Sequence, residues 1–262
     1  MRLISRIIKR SAAHREVTQF SGRAAGFVMA LVLLGRAASA EPSLSCGQFT
    51  QDVIPAPEPR GAASAVHRFE HINETIKTEP HRVLFFGDSL TERFDKEVWR
   101  EHMAPRGVLN AGISGDRSEN LLWRLQHGHL AGPLPAGVVV LIGTNDLGFE
   151  RPPEQAAEGI RANLLYLREQ MPRTPIVLLG LWPRGASPEG RLRRATVAVN
   201  QLIRHCGDGH GVTYADLGGL LLDEDGRLEP AISTDLLHFT NLGYARLAPR
   251  LDALIDAMLA RR

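Results

Sequence analysis

One short stretch organises the sequence, Val83-Leu84-Phe85-Phe86-Gly87-Asp88-Ser89-Leu90-Thr91. Its four leading apolar residues are typical of a strand buried inside a parallel sheet. Gly87-Asp88-Ser89 has the composition of a turn, and a helix can begin at Thr91. A serine at such a junction lies at the carboxyl edge of a sheet, where open α/β folds bind their ligands. Ser89 could equally be a simple helix cap, because serine is a preferred N-cap residue.

Apolar runs alternate with amphipathic segments along the chain. The apolar runs predict five strands, at Val83–Phe86, Val108–Asn110, Val138–Ile142, Ile176–Leu181 and Val212–Ala215. The amphipathic segments predict helices at Val66–Lys77, Ser118–Leu125, Pro153–Met171, Glu189–His205 and Asn241–Leu259. This alternation predicts an α/β fold, with a parallel sheet covered by helices on both faces and joined by right-handed crossovers.

The first 40 residues have the layout of a secretory signal peptide. Six basic residues between Arg2 and Arg23 precede an apolar run at 24–35, and Ala38-Ser39-Ala40 offers a small-residue cleavage site. The apolar run is too short to span a bilayer, so we expect a secreted or periplasmic protein with no stable membrane span after signal removal. An uncleaved anchor and a buried helix are the alternatives.

The remainder divides into a linker and one domain. Residues 41–65 contain four prolines and many small residues, which predicts an extended linker or a surface wrap. Residues 66–262 are predicted to form one domain that holds all five predicted strands. Residues 1–40 hold seven of the 31 basic and one of the 29 acidic residues, so the rest of the chain carries a net charge of −4. That remainder has no basic patch interleaved with aromatic residues, and we expect no nucleic-acid partner.

The cysteines and histidines give weak signals. Cys46 and Cys206 could pair in an exported protein, but Cys46 lies in the Pro-rich segment, and we expect two unpaired thiols. His67 and His71 have the i, i+4 spacing of a metal site. No third ligand is close in sequence, so we interpret them as part of a solvated helix face and expect no metal.

Candidate catalytic residues follow successive strands. Ser89, Gly112 and Asn145 come after the first three strands, and Asp235 and His238 come just before the last helix. A serine hydroxyl needs a base to remove its proton, and a histidine oriented by a carboxylate is such a base. The backbone N–H groups of Ser89 and Gly112 and the side-chain amide of Asn145 could stabilise the oxyanion.

Each of these signals is weak when taken singly. A glycine or an Asn-Asp pair after a strand is usually a turn, and Asp-x-x-His is common on protein surfaces. Trp182 and Arg184 follow the fourth strand, where packing, a surface ion pair and a pocket wall are all compatible with the sequence. The evidence for a catalytic site is the joint order of the five candidates.

That order resembles the SGNH (GDSL-type) hydrolase family. The four matching blocks are Gly87-Asp88-Ser89-Leu90, Asn110-Ala111-Gly112-Ile113-Ser114-Gly115-Asp116, Gly143-Thr144-Asn145-Asp146 and Asp235-Leu236-Leu237-His238. The resemblance implies a three-layer, flavodoxin-like α/β/α fold with a five-stranded parallel sheet in the order 2-1-3-4-5. It also implies Ser89 as nucleophile, Asp235 and His238 as its acid–base pair, Gly112 and Asn145 as oxyanion donors, and no metal or organic cofactor.

Further segments resemble one branch of that family, the catalytic subunits of intracellular platelet-activating-factor acetylhydrolase. They are 122–128 (LWRLQHG), 180–185 (GLWPRG) and 237–244 (LHFTNLGY). This resemblance implies a short acyl group and leaves the alcohol open. The chain departs from the branch in its export signal and in Asp146, where the branch carries asparagine.

The sequence therefore predicts a secreted serine ester hydrolase whose partner is an acyl ester substrate. Export favours the removal of acetyl groups from an extracellular polysaccharide. The alternatives are hydrolysis of a lipid or small acetyl ester, acyl transfer to a sugar hydroxyl on the same scaffold, and a non-catalytic glycan-binding or assembly role.

Overall fold

The structure is a computed structural model that describes Cys46, residues 56–207 and residues 211–261. The predicted signal peptide and most of the predicted linker lie outside the described residues. The strands are β1 Val83–Gly87, β2 Val108–Gly112, β3 Gly137–Leu141, β4 Ile176–Leu179 and β5 Val212–Ala215. The helices are α1 Ala63–Thr78, α2 Ser89–Glu92, α3 Lys96–Val98, α4 Ser118–Gln126, α5 Thr144–Gly148, α6 Pro153–Gln170, α7 Arg191–Ile203 and α8 Asn241–Ala260. A π-helical turn, Trp99–Met103, follows α3.

The five strands form one parallel sheet in the order β2-β1-β3-β4-β5. The predicted α/β class, strand count and strand order are confirmed. β1 lies between β2 and β3, and its last residue, Gly87, is in register with Gly112 on one side and Leu141 on the other. The ends of the first three strands, where the sequence places its candidate residues, therefore lie at one edge of the sheet.

Helices cover both faces of the sheet. Side chains alternate between these faces along each strand, so each strand contributes to two apolar clusters. Leu84 and Phe86 pack into one apolar cluster, which takes residues from α1, α4, α6 and α7. Val83 and Phe85 pack into the other, which takes residues from α3, the π turn and α8. Every residue of β1 is buried, which explains why its sequence is continuously apolar instead of alternating.

Several predicted boundaries shift by a few residues. β4 ends at Leu179, so residues 180–181 belong to the loop that follows. α7 begins at Arg191 after Gly190, which is its N-cap, and gives way to a 3-10 turn, Arg204–Cys206. α1 begins at Ala63, within the segment predicted as linker, and the N–H of Glu58 donates to the carbonyl of Glu119.

The expectation of two free cysteines is wrong. Cys46 and Cys206 form a disulfide. Both are buried in the cluster on the α1, α4, α6 and α7 side of the sheet, with 7% and 0% of their surfaces exposed. The Pro-rich composition around Cys46 suggested an extended segment far from the core, whereas the residue is part of the core.

Two further observations concern membrane spans and metal ligands. In the described ranges, no helix is both long and apolar enough to cross a membrane. His67 and His71 are exposed on α1, and the described residues contain no cluster of three or more His, Cys, Asp or Glu side chains suited to a metal ion.

Candidate active site

Ser89 lies at the start of a short helix directly after β1. Asp88 is the N-cap of α2, and its Oδ1 accepts the N–H of Leu90 at 2.9 Å. This cap bends the chain sharply from strand into helix, so that Ser89 is the first residue of α2. Ser89 is 5% exposed. Its hydroxyl is therefore shielded from bulk water at the carboxyl edge of the sheet.

The structure brings Ser89, His238 and Asp235 into one hydrogen-bonded chain. His238 Nε2 is 2.9 Å from Ser89 Oγ, across 149 residues of sequence. His238 Nδ1 is 2.7 Å from Asp235 Oδ2. The sequence-predicted nucleophile, base and orienting carboxylate are thus within hydrogen-bonding distance in the order that serine hydrolysis requires.

The loop before α8 holds Asp235 in its ionised form. Its Oδ1 accepts the N–H groups of Leu237 at 3.0 Å and His238 at 2.7 Å. Burial would raise the pKa of Asp235, but the hydrogen bonds from the side chain and backbone of His238 outweigh that effect and lower it to about 2. An ionised carboxylate only accepts hydrogen bonds, so Nδ1 of His238 carries the proton and Nε2 is left to accept the Ser89 hydroxyl.

Leu236, between the two members of this pair, has a left-handed backbone with φ of +63°. A branched side chain rarely adopts that conformation, which costs about 1–2 kcal/mol. The carbonyl of Leu236 accepts the N–H of Gly185 at 2.8 Å. The strained turn is therefore fixed from outside by the loop that follows β4.

The two predicted oxyanion donors lie on the loops that flank β1. Gly112 ends β2 beside Gly87, and a Cβ at this position would come 2.3 Å from the backbone nitrogen of Glu92. Only glycine allows the two loops to approach this closely. The N–H of Gly112 points to Oδ1 of Asn110 at 3.1 Å, so donation to an oxyanion would require this hydrogen bond to be shared or released.

Asn145, the other predicted donor, lies in α5, which follows β3. One hydrogen of its amide donates to the carbonyl of Asp116 at 2.9 Å. The second has no acceptor within the described residues, and the side chain is only partly buried. The anchored amide therefore keeps one donor for a bound group.

Sequence reasoning missed a buried guanidinium that joins the ends of β1 and β2. Arg124 donates through Nη2 to the carbonyl of Gly87 and through Nη1 to that of Ala111, both at 2.8 Å. Its Nε donates to Asp116 Oδ2 at 2.7 Å. Each carbonyl directly precedes a turn of the candidate site, so Arg124 fixes the spacing between the turn at Ser89 and the turn at Gly112.

His129 completes this cluster. Its Nδ1 is 2.8 Å from Arg124 Nη1, and the ring stacks on Phe69. Burial and then the charge of Arg124 lower the pKa of His129 well below its ordinary value. The imidazole is therefore neutral and accepts from the guanidinium. The sequence did contain a signal for this cluster, because Arg124 lies three positions after Leu121, on the apolar face of α4. By its charge alone, however, an arginine is expected to be exposed.

Asp88, beside Ser89, is a buried carboxyl group with an oxygen that has no hydrogen-bond partner among the described residues. It is 1% exposed, and this oxygen is Oδ2. Burial is the main cause that raises its pKa to about 7; the nearby carboxylates of Asp116 and Asp146 add to it, and the Leu90 N–H and Arg124 oppose it. Asp88 is thus a stability liability when it ionises.

We expect the free energy of unfolding of Asp88→Asn to increase relative to that of wild type as the pH rises from 5 to 8. Between about pH 4 and 7 the unfolded chain releases the Asp88 proton while the folded protein retains it, so this group lowers wild-type stability with rising pH. One pKa unit corresponds to about 1.4 kcal/mol. The asparagine keeps the acceptor for Leu90 and cannot ionise.

Chemical denaturation at several pH values measures this difference. Asp225→Asn, at an exposed turn, is the matched control and should track wild type throughout. Stability curves for wild type and Asp88→Asn that stay parallel from pH 4 to 8 would contradict the buried, proton-retaining carboxyl.

Comparison with known proteins identifies the family of this chain. Residues 85–246 match the profile of the GDSL-like Lipase/Acylhydrolase family. The chain is 36% identical over 197 residues to human platelet-activating factor acetylhydrolase IB subunit alpha1, covering 74% of this chain and 83% of that one. The predicted resemblance to that branch is confirmed.

Solved structures share the fold. A GDSL-like lipase from Bacteroides thetaiotaomicron superposes with a TM-score of 0.60 at 20% identity, covering 74% of this chain and 98% of that one. The acetylxylan esterase Axe2 from Geobacillus stearothermophilus superposes with a TM-score of 0.54 at 17% identity, covering 69% and 96%. The family match covers more than half of the sequence and includes all five candidate residues, in their predicted order. The chain therefore belongs to the GDSL-like lipase/acylhydrolase family, and it is an ester hydrolase.

Proposed function

We propose that the protein is a secreted serine ester hydrolase that removes acetyl groups from an extracellular polysaccharide. The observation that carries the catalytic part is the continuous chain from Ser89 Oγ through His238 to Asp235, with distances of 2.9 and 2.7 Å. Its geometry matches the requirement for a nucleophile, a base and an orienting carboxylate.

In the proposed acylation step, Ser89 Oγ attacks the ester carbonyl while His238 Nε2 takes the hydroxyl proton. The imidazolium that forms is stabilised by the ionised Asp235. The negative oxygen of the tetrahedral intermediate is held by the N–H of Ser89 and the remaining amide hydrogen of Asn145, with Gly112 as a third donor. His238 returns its proton to the alcohol oxygen as the ester C–O bond breaks.

In the second step a water molecule replaces the alcohol. His238 takes a proton from that water as its oxygen attacks the acyl carbon. Collapse of the second tetrahedral intermediate expels Ser89, which regains its proton from His238. The products are one carboxylic acid and one alcohol per ester, and no cofactor is needed for the atoms to balance.

Two observations support a short acyl group, and two different alcohols compete. The human relative is named an acetylhydrolase, and the Geobacillus neighbour is an acetylxylan esterase. The signal-peptide pattern at residues 1–40 favours a polysaccharide, because such polymers are reachable outside the cell. The 36% identity to platelet-activating factor acetylhydrolase favours the second candidate, an acetylated lipid.

A fluorophosphonate probe tests the catalytic part of the proposal. We expect one probe molecule per chain, attached to Ser89, and no labelling of Ser89→Ala. His238→Gln should label much more slowly, because the hydroxyl then lacks its base. A folded wild-type protein that never reacts would favour the non-catalytic binding role.

Released acetate tests the substrate. We expect 4-nitrophenyl acetate to be hydrolysed faster than the butyrate and octanoate esters, and acetylated xylan to yield acetate. Faster release from platelet-activating factor than from every acetylated glycan tested would replace the polysaccharide by a lipid.

A further inference from the structure

Arg184 is held between two loops of the active site. Its Nη1 donates to the carbonyl of Thr144 at 2.7 Å, directly before Asn145. The next residue, Gly185, donates its N–H to Leu236, which lies between Asp235 and His238. The guanidinium is therefore anchored beside the loop that carries the oxyanion amide, and its backbone beside the loop that carries the acid–base pair.

A second arginine makes this position rigid. Arg193 of α7 donates through Nε to the carbonyl of Arg184 at 3.2 Å and through Nη2 to that of Gly185 at 2.6 Å. Its Nη1 donates to the carbonyl of Gly226 at 2.7 Å. The three nitrogens of the Arg193 guanidinium thus hold the backbone of residues 184 and 185 in place. The side chain of Arg184 is therefore not needed to fix this turn.

Arg184 keeps hydrogen-bond donors that the protein does not use. Among the described residues, its guanidinium donates through Nη1 to the carbonyl and the hydroxyl of Thr144. Within the described residues, Nε and Nη2 have no acceptor, and no carboxylate forms an ion pair with the guanidinium. Burial lowers its pKa, and Asp88 and Asp235 act on it only electrostatically. Burying a charged group without a hydrogen-bonded ion pair costs free energy. The presence of this unpaired guanidinium beside the site therefore suggests that it binds an anion.

The neighbouring surface leaves the guanidinium open. Gly148, at the end of α5, is exposed, and a Cβ there would lie 3.4 Å from Nη1 of Arg184. No side chain at this position covers the cation. The free edge formed by Nε and Nη2 is the planar pair of donors that binds a carboxylate through two parallel hydrogen bonds.

We propose that Arg184 is a specificity residue that binds a carboxylate on the alcohol part of the ester. This inference rests on the proposed function and narrows its substrate to esters whose alcohol is acidic, such as an acetylated polysaccharide that contains uronic acids. An acyl group as small as acetyl cannot carry the charge, so the anion must belong to the leaving alcohol.

Two matched substrates test the proposal, 4-acetoxybenzoate and its neutral methyl ester. We expect Arg184→Met to lower kcat/KM for the carboxylate substrate about 10- to 100-fold, the size expected for a lost hydrogen-bonded ion pair. The drop on the methyl ester should be several times smaller. Comparing each variant with wild type on the same substrate cancels the difference between the two leaving groups.

Two further variants separate charge from geometry. Arg173→Met removes an exposed arginine that comes just before β4, at the opposite edge of the sheet from Arg184, and it should leave both substrates unaffected. Arg184→Lys keeps the charge and loses the paired donors, so it should recover only part of the loss. 4-Acetoxyphenyl phosphate provides a phosphate arm, and a larger Arg184 effect on it than on the carboxylate would replace the carboxylate by a phosphate.

A measurement on the wild type avoids dependence on the variants' folding. Rising salt should increase KM for 4-acetoxybenzoate and leave KM for the methyl ester unchanged. Equal losses on both substrates in Arg184→Met, or equal salt dependence in the wild type, would overturn the anion subsite. Failure of the wild type to hydrolyse either substrate would instead refute the proposed function.

Discussion

Ser89→Ala is expected to lower kcat/KM for 4-nitrophenyl acetate by about 10⁴- to 10⁶-fold, the loss that follows removal of the nucleophile from a Ser-His-Asp site. Among the described residues, Ser89 Oγ is the hydrogen-bond partner of His238 Nε2, at 2.9 Å. The alanine variant keeps the backbone N–H in place, so the remaining rate would come from the oxyanion donors and from substrate binding alone.

The folded state should survive this change. Ser89 is the first residue of α2, while the cap of that helix is the carboxylate of Asp88. Thermal unfolding of Ser89→Ala should therefore stay close to that of wild type, and Ser64→Ala, on the exposed face of α1, is the matched control for both measurements. Turnover by folded Ser89→Ala within about tenfold of wild type would exclude Ser89 as the nucleophile.

Asp235→Asn adds a test of how the base is oriented. The amide oxygen can still accept the N–H groups of Leu237 and His238, so the loop keeps its shape. The amide nitrogen, however, would donate to Nδ1 and force the imidazole proton onto Nε2, away from the geometry that accepts the serine proton. A loss of about 10³- to 10⁴-fold with an unchanged fold would assign the effect to the wrong tautomer.

The sequence predicted the sheet well because its evidence is local. The three central strands, β1, β3 and β4, are short runs in which every residue is buried. The strand ends then follow from topology, which is why Ser89, Gly112 and Asn145 could be assigned to one edge before any distance was known. The contact between Ser89 and His238 needed the family resemblance, because 149 residues separate them.

What the sequence did not predict depends on contacts between distant segments. The burial of Cys46 depends on the path of a Pro-rich segment, and composition does not contain that path. The left-handed backbone of Leu236 violates a local preference and is held by a distant N–H. Arg124 lies on an apolar helix face, where only the three-dimensional arrangement supplies acceptors for its donors.

Arg124→Met is expected to lower the free energy of unfolding by about 3–5 kcal/mol, the cost of breaking a buried ion pair on one side. Arg124 is 2% exposed and Asp116 is 0% exposed. Methionine fills much of the volume but leaves Asp116 without its partner and removes the donors to the carbonyls of Gly87 and Ala111. Chemical denaturation measures the change, and Arg173→Met, at an exposed site, should be nearly neutral.

The pH dependence of this loss identifies its cause. Burial raises the pKa of Asp116, and Arg124 is the main opposing charge. Without Arg124 the pKa of Asp116 rises further, so the folded variant retains this proton over a wider range than wild type. A carboxyl group whose pKa is higher in the folded than in the unfolded protein makes the protein less stable as the pH rises. The loss of stability in Arg124→Met should therefore be smaller at pH 5 than at pH 8.

A second substitution separates the orphaned charge from the lost carbonyl contacts. Asp116→Asn in the Arg124→Met background should recover part of the stability, because it removes the buried unpaired carboxylate. It should not restore kcat, because no side chain then joins the carbonyls of Gly87 and Ala111. The distance between these two carbonyls sets the distance between Ser89 and the Gly112 turn. If kcat of Arg124→Met on 4-nitrophenyl acetate equals that of wild type, Arg124 stabilises the fold without positioning the site. Recovery of kcat together with stability in the double variant would attribute the loss to the buried charge alone.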